Sequence, residues 1–288
     1  VNLLLGPASL DIYVQEDLVL PGGGALNMAY HWSRLGVPFH LLTRVGDDHP
    51  EVFVPFLRRH GIDHSPTIVA PGTSASIDIV IGPDRQPHMD HFVEGVWSGF
   101  RLDSAEQALL ASADHLHAVL VDPVVAEVHR VGDEGALAGV SVSGDFLSFR
   151  HYTLDRFAAT MAHLQLGVIG WPGAEDDPVV RSVAAVAFEL GRVVVITLGS
   201  RGVLVFDGRD SPAEHRVSVE PVQVAGTTVG CGDAFVAAFL AAWWGDADLL
   251  GAVEAGKRAG AAATAWLRPL PDAAYEQVSS VGSNDVIV

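Results

Sequence analysis

The chain has 288 residues, 49% of them apolar, enough for a sizeable core in one large α/β domain or two small ones and too apolar for a disordered chain. Seventeen basic residues against 35 acidic ones give a formal charge of -18, which repels phosphate backbones and anionic headgroups and sets nucleic acid and membrane surfaces aside as partners. Lys257 is the only lysine and Cys231 the only cysteine, so anion binding falls to arginine, metal ions or backbone N–H groups, and an internal disulfide is excluded.

The opening VNLLLGPASL has no basic leader, is too short for a signal segment followed by a cleavage site, and reads as a first strand. A helix is predicted over Asn27 to Leu35, then the apolar run FHLLTRVG, then a helix from Glu51 to His60. Thr73 to Val93 alternates polar and apolar residues about a Gly-Pro-Asp turn, the pattern of an antiparallel hairpin with one wet face and a candidate flap over a ligand. HLHAVLV, GALAGVSVS, a helix near Leu154 to Leu164, LGVIG, a helix from Pro178 to Leu190, RVVVITLG and GVLVFDG follow. Such strand and helix repetition predicts an α/β fold with a mostly parallel sheet covered on both faces. After Leu270 the pattern fades into a polar tail. No apolar run approaches the roughly 18 residues of a membrane span, and the lone cysteine suits a reducing compartment, so a cytoplasmic protein is expected.

Chemistry concentrates in VGCGDAFVAAF. Asp233 to Trp244 reads as helix, which puts Gly230, Cys231 and Gly232 at its mouth, where N–H groups lack intrahelical partners and the macrodipole favours an anion. Beside a bound phosphate the Asp233 carboxylate can take the proton of an attacking hydroxyl; alternatively it is an ordinary N-terminal acid serving the dipole. In PGGGALNMAYHW three glycines lead into a helix with Asn27 in its first turn, leaving close backbone approach and an amide for a hydroxyl-bearing ligand. Two other matches are weak. Gly22, Gly24 and Asn27 lack the third glycine of a dinucleotide fingerprint, and the acids Asp47 and Asp48 fall late. GAVEAGKR lacks the P-loop Ser or Thr and lies within a continuous Ala-rich helical run.

GGGALNMA paired with VGCGDAFVAAF, with VVVITLGSRGVLVFDG about thirty residues before the latter, resembles the PfkB (ribokinase-like) family of carbohydrate and nucleoside kinases over nearly the whole chain. SLDIYVQEDLVLPGGGALNMAYHWSRLG and HFVEGVWSGFRL are similar to its fructoselysine 6-kinase and fructosamine-kinase branch. The resemblance implies one three-layer α/β/α kinase domain with a small β lid, about 11–21 and 73–93, and an ATP-dependent, magnesium-assisted transfer to a sugar or sugar-amine. It implies Asp233 as the base, Gly230, Cys231 and Gly232 as the anion hole, and Asp11, Gly22, Gly23 and Asn27 as contacts to sugar hydroxyls. Thr197, Gly199 and Gly202 match the nucleotide-side turn, and the helix carrying Ala255 and Ala259 would flank adenine.

The chain also departs from the family's pattern. Thr227 replaces an acid tied to monovalent-cation activation; Pro172 replaces the asparagine of the metal motif, leaving Glu175 as its survivor; and Glu51 replaces a glycine. Ser143 and Gly144 stand where many members carry an acid. Glu94 either reads a charged substituent of the substrate or is an exposed lid carboxylate. His88, Asp90 and His91 read as solvated lid residues rather than metal ligands. Cys231 either fills a small slot or is a reactive thiol whose pKa the helix mouth lowers. The free edge of the lid hairpin offers a surface for a homodimer.

Overall fold

The computed structural model describes residues 1–150, 152–245 and 247–275. In chain order its strands are β1 (Asn2–Leu5), β2 (Ser9–Tyr13), β3 (Leu18–Gly22), β4 (Phe39–Leu42), β5 (Val45–Gly46), β6 (Val69–Ala70), β7 (Ala75–Ile81), β8 (Pro87–Val93), β9 (His115–Val119), β10 (Ser141–Asp145), β11 (Leu166–Gly170), β12 (Val193–Thr197), β13 (Val203–Asp207) and β14 (Ala213–Val217). The helices are α1 (Gly24–Leu35), α2 (Pro50–Arg59), α3 (Ser104–Leu110), α4 (Asp122–Asp133), α5 (Leu154–Met161), α6 (Pro178–Glu189), α7 (Cys231–Trp244), α8 (Leu249–Ala263) and α9 (Asp272–Tyr275). The chain forms two compact units, one of Val1–Leu3 with Arg101–Val222, the other of Leu4–Phe100 with the chain from Gln223 onward.

In the first unit the strands are ordered β14-β13-β12-β11-β10-β9, with β1 beside β9. β9 to β12 run parallel, and β13 and β14 add antiparallel partners at one side. Val193 to Ile196 are fully buried, which is why β12 reads as an unbroken β-branched run rather than an alternation. β14 was not anticipated: AEHRV alternates half-buried and exposed positions and carries no unbroken apolar run. Helices α3 and α4 were also not anticipated. α3 carries a legible start signal, a capping box in which Asp103 accepts from the Glu106 N–H and Glu106 returns to the Asp103 N–H.

In the second unit β3-β2-β7-β8 form a separate sheet, with β2 antiparallel to β3 and parallel to β7. The hairpin β7–β8 forms where the alternation placed it. Its two strands differ, however: β7 is buried or half-buried throughout, whereas His88 to Phe92 of β8 are all exposed, so the outer strand is wet on both faces. Helix α1 packs on α7, where the buried Trp32 indole N–H donates to the Ala237 carbonyl at 2.9 Å. α8 lies antiparallel against α7, with Gly256 facing Phe235 and Gly260 facing the Cys231 carbonyl. That pairing is why α8 is rich in small residues. The start of the expected polar tail is α9, whose Ala274 and Tyr275 are buried; residues 276–288 of that tail lie outside the described residues.

Candidate active site

Three segments of the second unit converge: β2, the glycine-led start of α1, and the mouth of α7. Asp11 on β2 is buried against Gly22, where any Cβ would stand 2.0 Å from the Asp11 carboxylate. That is the physical reason for glycine there: backbone and carboxylate share one space. Ser9 Oγ donates to Asp11 Oδ1 at 3.0 Å, but burial dominates and pushes the Asp11 pKa up to about 7.

Gly23 caps α1, four residues ahead of Asn27. Asn27 is 4% exposed, and its Nδ2 donates to Asp233 Oδ2 at 2.7 Å, across 206 residues of sequence. Its Oδ1 is buried with no hydrogen-bond partner among the described residues. One amide thus orients a carboxylate and presents an acceptor still to be satisfied.

α7 begins two residues before the predicted run, at Cys231. Gly230 is its N-cap in the left-handed region, φ 75°, with a Cβ position only 2.5 Å from Pro269, so both conformation and space require glycine. Cys231, Gly232 and Asp233 are the first three helical residues. The Cys231 N–H donates to the Thr228 carbonyl at 3.3 Å, whereas the Gly230 and Gly232 N–H groups have no hydrogen-bond partner among the described residues. Burial, with the Asp233 charge as a smaller contribution, pushes the Cys231 thiol up to about 12. That direction is opposite to the one a helix mouth alone suggests, and it favours the first of the two readings of Cys231, a half-buried small residue filling a slot. Thr227, in place of the family's acid, is buried, donates its N–H to the Trp266 carbonyl at 2.8 Å and accepts the Val229 N–H on its hydroxyl.

The remaining expected site residues lie elsewhere. Glu94 is half-buried at the end of the lid hairpin, where its carbonyl accepts the Trp97 N–H. Ala255 and Ala259 of α8 line a groove with Leu35, Val37, Ala238, Ala241 and Ala242. Those α7 residues lie five to nine positions past Asp233, about 7–13 Å along the helix axis, so these alanines do not join the Asp233 cluster.

In the first unit Thr197 ends β12, and Gly199 and Gly202 shape the turn into β13, closed by the Leu198 N–H to the Gly202 carbonyl at 2.9 Å. This turn adjoins the segment that starts at Trp171, since the Trp171 N–H donates to the Thr197 carbonyl and Arg201 donates to the carbonyls of Trp171 and Gly173. Glu175 forms an ion pair with Arg216 of β14, which holds its pKa below the usual carboxylate range.

Asp145, a buried acid ending β10, was missed. Burial lifts it to about 6 while the Leu147 N–H donates to it at 2.8 Å. It sits one position beyond Ser143 and Gly144, which stand where many members of the resembled family carry an acid. Asp47 and Asp48 tie down Gly72 and Ser74 at the foot of β7, and α8 is helical through Gly256 and Lys257; neither glycine match makes a nucleotide loop.

A magnesium ion fits these residues poorly. Pro172 offers no side-chain donor, Glu175 is engaged by Arg216, and no group of three metal-ligating side chains occurs among the described residues. His91 instead pairs with Asp78 at 2.9 Å.

The second unit thus holds a glycine-led helix whose asparagine bonds a carboxylate at a second, glycine-capped helix mouth. The family model for pfkB family carbohydrate kinases matches residues 5–124 and 167–265, and the chain belongs to that family. It is an ATP-dependent kinase with the ribokinase-like α/β fold. Fructoselysine 6-kinase of Escherichia coli is 29% identical over 240 residues, 83% of this chain and 87% of that one. Cytidine kinase of Thermococcus kodakarensis is 27% identical, over 84% of this chain and 87% of that one. The fold is shared with ribokinase from Thermotoga maritima, at TM-score 0.75 and 17% identity over 99% of this chain and 97% of that one. It is shared too with adenosine kinase from Schistosoma mansoni, at 0.78 and 15% over 93% and 96%.

Proposed function

We propose that this kinase transfers the γ-phosphoryl group of ATP to a primary hydroxyl of a sugar or sugar-amine of the fructosamine kind, with Asp233 as general base. The observation that carries the reading is the 2.7 Å bond from Asn27 Nδ2 to Asp233 Oδ2, at a helix mouth whose Gly230 and Gly232 N–H groups are unpartnered among the described residues. Asn27 turns one Asp233 oxygen inward; the other takes the proton of the attacking hydroxyl as the phosphoryl group is transferred in line. The two N–H groups and the α7 dipole stabilise charge on the transferring oxygens. Asp11 and the unsatisfied Asn27 Oδ1 accept hydrogen bonds from other substrate hydroxyls, and Glu94 reads a cationic substituent at the lid.

Thr197, Gly199 and Gly202 serve the nucleotide, and the chain works as a kinase in the cytoplasm. The lid edge, where Met89 and Phe92 are 50% and 44% exposed, is the homodimer surface. The likeness to fructoselysine 6-kinase over 83% of the chain supports the sugar-amine over a nucleoside.

One observation favours a second reading, a sugar-binding sensor that does not turn over: Glu175, survivor of the metal motif, is engaged by Arg216. ADP release from Mg-ATP over a panel of sugars, fructosamines and nucleosides separates the two. Turnover on a fructosamine that vanishes in Asp233→Asn supports the kinase reading; binding without ADP release supports the sensor; turnover on nucleosides alone overturns the assigned substrate.

A further inference from the structure

The segment after α8 packs over the start of the lid sheet. Arg268 lays its guanidinium over the Tyr13 ring, 4.2 Å from the centroid, and pairs with Glu16 in the turn between β2 and β3. Further on, His60 Nε2 donates to the Ala274 carbonyl at 2.9 Å, and the Tyr275 ring lies 6.2 Å from that of Phe56. α9 lies beyond residues 5–124 and 167–265, the part of the chain that the family model matches.

Two hydroxyls are enclosed there. Tyr13 is 1% exposed and Tyr275 9%, and neither phenolic oxygen has a hydrogen-bond partner among the described residues. Burial above all, with the Asp11 charge among the smaller causes, pushes both phenols up, so both keep their protons at neutral pH. At Tyr275 the Leu270 N–H acts the other way, but as a donor it leaves the phenolic proton without an acceptor. Phenylalanine would fill the same space without the cost of an orphan hydroxyl. The fold says where the missing acceptors lie. Ser9, Asp11 and Tyr13 alternate along β2 and share one face of the lid sheet. Ser9 pairs with Gly22, at the end that leads through Gly23 into α1 and so to Asn27 and Asp233, whereas Tyr13 pairs with Leu18 at the opposite end. Tyr13 is therefore about 7 Å beyond Asp11, on the side away from Asp233.

We propose that Tyr13 and Tyr275 are specificity-determining residues at the far end of the acceptor site, where their hydroxyls donate to oxygen atoms on the substituent that the sugar carries on its amine. The inference rests on the kinase reading and deepens it. Asp233 meets the hydroxyl to be phosphorylated, Asp11 meets the sugar, and the two phenols meet what lies beyond the sugar. Arg268 braces the Tyr13 ring from its open face, which fixes the direction of the hydroxyl. Two neutral donors call for a substituent with oxygen acceptors, as an amino acid has, rather than a plain alkyl chain.

The test is calorimetric titration of the full chain, without ATP, with fructosyl-glycine and with fructosyl-propylamine, whose substituent carries no oxygen. The proteins are the wild type, Tyr13→Phe, Tyr275→Phe and the double variant. Each single variant should bind fructosyl-glycine about fivefold more weakly and the double variant at least about tenfold, while fructosyl-propylamine binds all four within about twofold. Phenylalanine keeps the ring packing and removes an orphan hydroxyl, so each variant should melt at or above the wild-type temperature; a hydroxyl with a structural partner would lower it. Fructosyl-glycine binding by the double variant within about twofold of the wild type, equal losses for both compounds, or a lowered melting temperature overturns the proposal. Binding requires neither ATP nor turnover. A failed kinase reading therefore appears as binding without ADP release, and a failure of this inference as fructosyl-glycine binding indifferent to the two hydroxyls. Binding of neither compound by the folded wild type overturns the sugar-amine acceptor and this inference together.

Discussion

The mouth of α7 and the turn after β11 are two places where the family's motifs meet this sequence, and they have fared differently. At α7 each element of an anion and base site is structurally enforced: Gly230 by a positive φ and by Pro269, Asp233 by the bond from Asn27. After β11, Pro172 has no donor to offer and Glu175 is spent on Arg216. The comparison teaches that a motif can persist in backbone geometry at one place and lose its side-chain ligands at another within the same chain.

That contrast can be broken or sharpened in steps of decreasing effect. Asp233→Asn removes the base and should lower kcat by about a thousandfold or more, with ATP binding retained by calorimetry; a loss below tenfold would remove Asp233 from that role. Asn27→Ala should cost about ten- to a hundredfold in kcat, because it removes the amide that orients the Asp233 carboxylate. An unchanged kcat with a raised acceptor KM would reduce Asn27 to a substrate contact.

Asp11 gives the pH test. Its pKa is 3.8 in the unfolded chain and about 7 when folded, so the folded state binds the extra proton between those values. Its contribution to stability is full below about pH 4 and is lost as pH rises to about 7, while affinity for the acceptor should climb as the carboxylate ionises through about pH 7. Asp11→Asn should flatten both slopes, read by melting temperature and by acceptor KM against pH. Smallest of all, Glu175→Gln loses one half-exposed ion pair and should change kcat by less than about twofold.

Much of this was legible in the sequence, for reasons that differ by element. The buried strands β11 and β12 and the Ala-rich α8 announce themselves through continuous apolar or small residues, because burial on both sides or close helix contact demands them. The glycine clusters were legible because only glycine fits beside Asp11 or at the N-cap of α7. β14 was hidden because an edge strand with one wet face has no unbroken apolar run, and Asp145 because one residue of register separates it from the position searched. The bonds from Asn27 to Asp233 and from Thr228 to Gln86 in the lid turn join residues 206 and 142 positions apart, and local periodicity carries no such information. The high pKa of Cys231 was likewise invisible, since helix position alone predicts the opposite direction.

The most direct measurement sets two variants side by side: ADP release from Mg-ATP on the best acceptor for Asp233→Asn and Glu175→Gln, each with ATP affinity measured by calorimetry. The account predicts that Asp233→Asn binds ATP and fails to turn over, while Glu175→Gln turns over at nearly the wild-type rate. Turnover abolished by Glu175→Gln, or preserved in Asp233→Asn, would contradict it.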